Sequence, residues 1–168
     1  MKKLAGLAIF ALFAGFASAQ SDNSLVDILV KHWQTSKDFT LAVADKMPDN
    51  EYSYKATPIE MSFGEMVSHI GDANINYCSV ALGEKPQAKG TDFSKAGAEK
   101  HLTDSFDFCI TGLKKMSNED LKKMVGKAPR QSTAFEALWG AFTHTAHHRA
   151  QLEVYLRLKG IAPPNYKF

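Results

Sequence analysis

Apolar residues recur every three or four positions through most of the chain after residue 23, which is the spacing of an amphipathic helix. The pattern predicts four long helices, over residues 24–47, 62–82 and 94–116 and from Ser132 or Thr133 to Lys159. A short helical piece ending near residue 126 is predicted between the last two. No alternating run bounded by turns indicates a β-strand. Four such helices with short connections predict an all-α fold, a four-helix bundle with one core.

The residues at the helix ends support these boundaries. Ser62 and Glu65 are spaced as a capping box at the start of the second helix. Pro48 follows the first helix, and a helix cannot continue through a proline. Gly83 and Gly160 come directly after the apolar periodicity ends, where a left-handed residue commonly terminates a helix.

The first nineteen residues have the three parts of a secretory signal peptide. Lys2 and Lys3 precede an uninterrupted apolar run over 4–16, and the small residues Ala17, Ser18 and Ala19 follow it. The run is too short for a membrane-spanning helix, which takes about 20 residues. The sequence therefore predicts a signal peptide at 1–19, one domain over 20–168, no stable membrane anchor, and export to the periplasm or the extracellular space.

The charge balance argues against a nucleic-acid partner. The chain has 20 Lys and Arg against 18 Asp and Glu, and loss of Lys2 and Lys3 with the signal peptide would leave no net charge. A neutral chain without a long basic run is a poor nucleic-acid binder.

Export also affects how the two cysteines are interpreted. Cys78 and Cys109 would encounter an oxidising compartment, where one disulfide between them is allowed. Two buried free thiols are the alternative, because the spacing does not show whether the two Cα atoms come close enough to be bridged.

Three histidines near the end of the chain carry the clearest chemical signal. His144 and His148 stand one turn apart on the flank of the apolar stripe, whereas His147 faces solvent. Two imidazoles at this spacing can hold one metal ion. A catalytic metal site needs a third protein ligand, and His69, at the edge of the apolar face of the second helix, is the candidate. His32 is a reserve ligand.

Two segments resemble a known family. Residues 144–152, HTAHHRAQL, resemble the signature of the DinB-like family of metal-binding four-helix bundles, in which a His and three residues precede His-Arg-Gly-Gln and an apolar residue. Residues 66–70, MVSHI, resemble the second-helix segment that carries the remaining ligand. Ala150 stands where the family usually has Gly. The similarity extends over essentially the whole chain after the signal peptide.

The resemblance implies an up-down-down-up bundle with one divalent metal on His69, His144 and His148. Zinc and nickel are favoured, with manganese and iron as alternatives, since imidazoles suit several of these ions. Related proteins are transferases that use a low-molecular-weight thiol such as bacillithiol, mycothiol or glutathione. Arg149 and Gln151 match the rest of the signature.

The positions of three further residues on the last helix suggest supporting roles. Arg149 falls near the centre of the apolar arc, where a cation needs a carboxylate or several carbonyls, so we interpret it as a structural clamp before a substrate contact. Gln151 lies beside His144 on the helical wheel and is predicted to orient a ligand imidazole. His147 is predicted to be a solvated neighbour or an outer support of the site.

A metalloenzyme acting on a small molecule is the leading hypothesis, because a bound cation lowers the pKa of a thiol or a water and so creates a nucleophile. Glu65 and Asp72 are weak candidates for a general base. A non-catalytic exported binder of metal or a small ligand is the main alternative. A purely structural bundle that forms a homodimer through an apolar face is the third.

Overall fold

The fold is described from a computed structural model, which covers residues 24–168. The predicted signal peptide, 1–19, lies outside the described residues. The described part contains four long helices, one short helix, a 3-10 turn at Asp49–Glu51 and a two-stranded ladder. The elements are α1 (Ser24–Asp45), α2 (Phe63–Leu82), α3 (Lys95–Leu113), α4 (Asn118–Leu121), β1 (Met124–Val125), β2 (Ser132–Thr133) and α5 (Ala134–Leu158). The prediction of a mainly helical protein is confirmed.

Side-chain caps begin the helices where the sequence predicted them. Ser62 and Glu65 form the capping box of α2, in which each side chain bonds the backbone N–H of the other residue. Thr133, rather than Ser132, caps α5 by the same arrangement. Gly83 ends α2 with a φ of 67°, in the left-handed region that residues with a Cβ rarely adopt.

The connection between α3 and α5 differs from the prediction. The short helix α4 ends at Leu121, and the residues that follow it form β1, which pairs antiparallel with β2. Each strand has only two residues, so no alternation of polar and apolar positions could be visible in the sequence. The predicted helical piece to residue 126 is therefore wrong in its second half.

The long helices pack around one apolar core. Helix α1 packs on α3 and α5, and α2 packs on the same two helices. The largest fully buried side chains include Trp33, Phe106, Leu138 and Leu152. None of the helices within residues 24–168 is long and apolar enough to cross a membrane.

The apolar periodicity of α1 faces the core along most of the helix, as Leu29, Trp33 and Val43 are buried. Leu25 and Ile28, near its start, remain 41% and 52% exposed. The hydroxyl residues Ser36 and Thr40 are also buried, on the face that contacts α5.

A disulfide joins α2 to α3 through the core. Cys78 and Cys109 are both fully buried, their Cα atoms are 5.5 Å apart, and the structure has them bonded. The bridge links two cysteines that are 31 residues apart in sequence.

Gly64, in the first turn of α2, is required by a close backbone approach. A Cβ at this position would collide with the carbonyl oxygen of Phe93. We expect Gly64→Ala to lower the free energy of unfolding by about 1–3 kcal/mol, the usual cost of overpacking. Urea denaturation measures the change.

Gly140→Ala is the matched control for Gly64→Ala. It lies inside α5, where a Cβ would meet only the ring of the partly exposed Tyr77. Helix propensity favours Ala there, so this variant should be as stable as the parent or more so. Equal stability of both variants would contradict the close approach.

Candidate metal centre

Three imidazoles from two helices converge in the structure. His69 comes from α2, and His144 and His148 come from α5. One nitrogen of each ring lies within 4.8 Å of one nitrogen of each other ring. The ring centroids of His144 and His148 are 4.3 Å apart, and both lie less than 5 Å from that of His69. The three residues predicted as ligands are thus brought together.

A buried polar network fixes α2 against α5 beside this cluster. The hydroxyl of Thr145 donates to Asn74 Oδ1 at 3.0 Å, and Asn74 Nδ2 donates to Ser105 Oγ at 3.3 Å. All three residues are essentially inaccessible to solvent. Because unmade hydrogen bonds are costly in a core, the network specifies how α2, α3 and α5 align. The role of Asn74 in aligning the helices was not predicted, although an Asn among the apolar residues of α2 was a visible signal.

Gln151 orients one of the three rings. His148 Nδ1 donates to Gln151 Oε1 at 2.6 Å, which leaves the lone pair of Nε2 free. Gln151 was predicted to orient a ligand imidazole, and the ring that it contacts is that of His148. An outer hydrogen bond of this kind fixes the tautomer and direction of a metal-binding imidazole.

Burial keeps the rings of α5 neutral. Desolvation, followed by the charges of the neighbouring histidines, lowers the pKa of His144 to about 4. Burial also lowers the pKa of His148, and the bond to Gln151 opposes that effect. Metals bind the neutral form of imidazole.

An unsatisfied atom provides a direct test of whether a metal fits. His144 Nδ1 is buried and has no hydrogen-bond partner in the described part of the chain. Buried polar nitrogens are rarely left in this state. Three imidazoles around one point, one of them held by Gln151 and another without a partner at Nδ1, therefore fit a divalent cation.

A cavity of about 510 Å³ opens beside the cluster. His69 and His144 form part of its wall, and Asn76, Tyr77 and Lys89 line the rest of it. The polar and cationic side chains could contact a small molecule held next to the histidines.

The structure gives both candidate bases other contacts. Glu65 caps α2, and the hydrogen bonds from Ser62 hold its pKa below the usual value. Asp72 lines the cavity, but its Oδ1 accepts bonds from His101 Nε2 at 2.8 Å and from the Gly90 N–H at 3.0 Å.

The remaining histidines lie outside the cluster. His147 is exposed, and its ring meets that of His148 edge-on at 4.9 Å. His32, the reserve ligand, is exposed and stacks on Phe168 instead, so that part of the prediction is wrong.

Arg149 is a buried clamp, but its partners differ from those predicted. Its Nη1 donates to the hydroxyls of Ser36 and Thr40, each at 3.3 Å. Its guanidinium carbon lies 4.5 Å from the ring centroid of Phe39 and 5.4 Å from that of Phe168. Hydroxyls and aromatic faces thus replace the expected carboxylate or carbonyls, and burial lowers its pKa.

Gln151→Ala should weaken zinc binding by about 10–100-fold, because the ring of His148, without its hydrogen bond to Gln151, loses its preferred tautomer and direction. Competition with a chromogenic chelator measures the affinity. Gln34→Ala, which alters an exposed glutamine of α1, should bind zinc as the parent does. Unchanged affinity in Gln151→Ala would remove Gln151 from the site.

Comparison with known proteins shows where the chain belongs. A crystal structure of a DinB-like protein from Bacillus subtilis matches with a TM-score of 0.70 at 21% identity, covering 83% of this chain and 96% of that one. A DinB-like protein from Bacillus cereus ATCC 10987 matches with a TM-score of 0.73 at 18% identity, covering 84% and 97%. Comparison with curated protein sequences gives no match. The sequence model of the DinB family matches residues 20–168, and the chain therefore belongs to the DinB family.

Proposed function

We propose that His69, His144 and His148 bind one divalent cation, and that this centre acts on a small molecule in the adjoining cavity. The observation that carries the proposal is the convergence of three imidazole nitrogens within 4.8 Å of one another. The unsatisfied Nδ1 of His144 supports it. Zinc or nickel is the proposed ion, with manganese or iron as the alternatives.

The proposed reaction is transfer or hydrolysis, with a low-molecular-weight thiol or water as the nucleophile. When bound, the cation would supply a positive charge that lowers the pKa of either nucleophile. The residues of the chain position the reactants: Gln151 directs His148, and Lys89 offers a charge to an anionic group in the cavity. Asp72 is the remaining carboxylate in that cavity for holding a proton.

A non-catalytic exported binder is the second candidate, and one observation favours it. Both carboxylates that the sequence offered as bases are engaged in structural hydrogen bonds, Glu65 with Ser62 and Asp72 with His101. A protein with this arrangement could bind a metal and a small ligand without turning the ligand over.

We also infer the arrangement and location of the domain. The contacts of α1 and α2 with the same two helices support an up-down-down-up four-helix bundle. The pattern of residues 1–19 supports removal of a signal peptide and export. A homodimer is expected on symmetry grounds, which light scattering of the mature protein tests.

Activity can be separated from binding with three protein samples. The zinc-loaded protein, the same protein stripped by a chelator, and zinc-treated His148→Ala are each incubated with glutathione and 1-chloro-2,4-dinitrobenzene, and with a panel of ester and amide substrates. Turnover by the loaded protein alone supports an enzyme. Tight zinc binding without turnover of any substrate in the panel favours the non-catalytic binder.

A further inference from the structure

A second cavity, of about 460 Å³, lies between α1, α5 and the C-terminal segment. It shares no lining residue with the cavity beside the histidines. Its wall is almost entirely apolar and aromatic, with Ile28 from α1, Trp139 and Phe142 from α5, and Phe168 from the C-terminal segment. We call it the α1–α5 cavity. Its volume falls within the ~300–1,000 Å³ of small-molecule sites.

A buried cation that forms no ion pair with any carboxylate of the described residues is part of this wall. Arg149 lines the α1–α5 cavity and is only 6% exposed. No carboxylate of the described residues forms an ion pair with it, and its Nη1 bonds only the neutral hydroxyls of Ser36 and Thr40. The carboxylate of Glu153 is paired with Arg157 instead. A buried charge without an opposite partner is costly, so this site is suited to an anion.

The indole N–H of Trp33, on the same wall, has no hydrogen-bond acceptor among the described residues. Trp33 lines the α1–α5 cavity and is 1% exposed. Its indole N–H is buried and has no hydrogen-bond partner in the part of the chain that the structure describes. Buried donors without acceptors are uncommon because desolvating them is unfavourable. Within residues 24–168, the wall thus holds a cation without a paired carboxylate and a neutral N–H without an acceptor.

We propose that the α1–α5 cavity binds a small amphipathic carboxylate, an acid group on an apolar body. The acid group forms the ion pair that Arg149 lacks within the described part of the chain and offers an oxygen acceptor to the indole N–H of Trp33. The apolar body lies along the aromatic wall and covers Ile28 and Trp139, which are 52% and 51% exposed without it. This binding is independent of the histidine cluster.

Intrinsic fluorescence reports on this cavity directly, because the only two tryptophans of the chain, Trp33 and Trp139, both line it. The purified protein is titrated with decanoate and, separately, with decanol, which has the same chain but no charge. A saturable change with decanoate is expected. Decanol should bind roughly ten- to a hundredfold more weakly, the difference that a charge-assisted hydrogen bond makes.

Two variants locate the ligand. Arg149→Met should bind decanol like the parent, which shows that the cavity is intact, but should lose the preference for decanoate. Ile28→Glu places a negative charge at the mouth and should weaken decanoate binding by about tenfold or more. Val154→Glu is its matched control, since both residues are 52% exposed and Val154 is not in the cavity wall. Val154→Glu should bind decanoate like the parent.

Three results would overturn the proposal. Equal binding of decanol and decanoate would mean that Arg149 does not select a charge. Equal effects of Ile28→Glu and Val154→Glu would place decanoate elsewhere. The absence of any saturable change with decanoate would mean that the cavity does not bind an amphipathic carboxylate.

Discussion

The His148→Ala protein is expected to carry almost no metal. The parent should bind about one zinc per chain, as a site with three protein ligands does. Removing His148 leaves His69 and His144, and two imidazoles hold a cation weakly. The affinity for zinc should therefore fall by more than the ~10–100-fold that loss of an outer hydrogen bond costs. Elemental analysis after gel filtration, together with calorimetric titration of zinc, measures both quantities.

His147→Ala is the matched control, because it removes an adjacent histidine of the same helix that lies outside the cluster. It should retain the parent's metal content. Equal metal content in the two variants would show that His148 is not a ligand. Equal loss in both would mean that the site extends to the exposed ring, or that any change in this turn of α5 disrupts it.

Removing the disulfide should cause the largest loss of stability of any change considered for this chain. Cys78 and Cys109 are separated by 31 residues, and closing a loop of about that length in the unfolded chain is worth about 3–4 kcal/mol. Replacing both by alanine avoids burying new hydroxyls in the core. The free energy of unfolding from urea titration should fall by that amount, which is a large share of a small domain's stability.

A reductant distinguishes the effect of the disulfide bond from that of the packing of the two side chains. When unfolding is measured in its presence, the parent should be less stable, and the stability of the double alanine variant should not change. Mass spectrometry of the parent after alkylation under denaturing conditions should find no free thiol. Two alkylated cysteines in unreduced protein would contradict the bridge.

The sequence predicted the fold where the signal was local. The capping box at Ser62, the start of the last helix at Ser132 or Thr133 and the glycine stop at Gly83 depend on residues a few positions apart, and they appear in the structure. The antiparallel pairing of β1 with β2 has no such signal. It depends on two residues from each strand meeting across a loop, and so it was missed.

The histidine cluster could be anticipated because two of its members lie one turn apart and the third matches a family segment. The contacts that hold the cluster and Arg149 in place were harder to predict. The sequence did not show which ring Gln151 contacts, because a helical wheel gives the direction of a side chain at Cβ but not the reach of its amide. The partners of Arg149 were missed because hydroxyls on α1 and aromatic rings from two segments satisfy it, and no spacing rule connects such distant positions.

The most direct test of the three-imidazole centre is X-ray absorption spectroscopy at the zinc edge of the metal-loaded protein. We predict three imidazole nitrogens at about 2.0–2.1 Å, with oxygen completing the shell. The multiple-scattering signal of three rings should fall to that of two in His69→Ala loaded with excess zinc. A shell with sulfur, or with fewer than three imidazoles in the parent protein, would contradict the account.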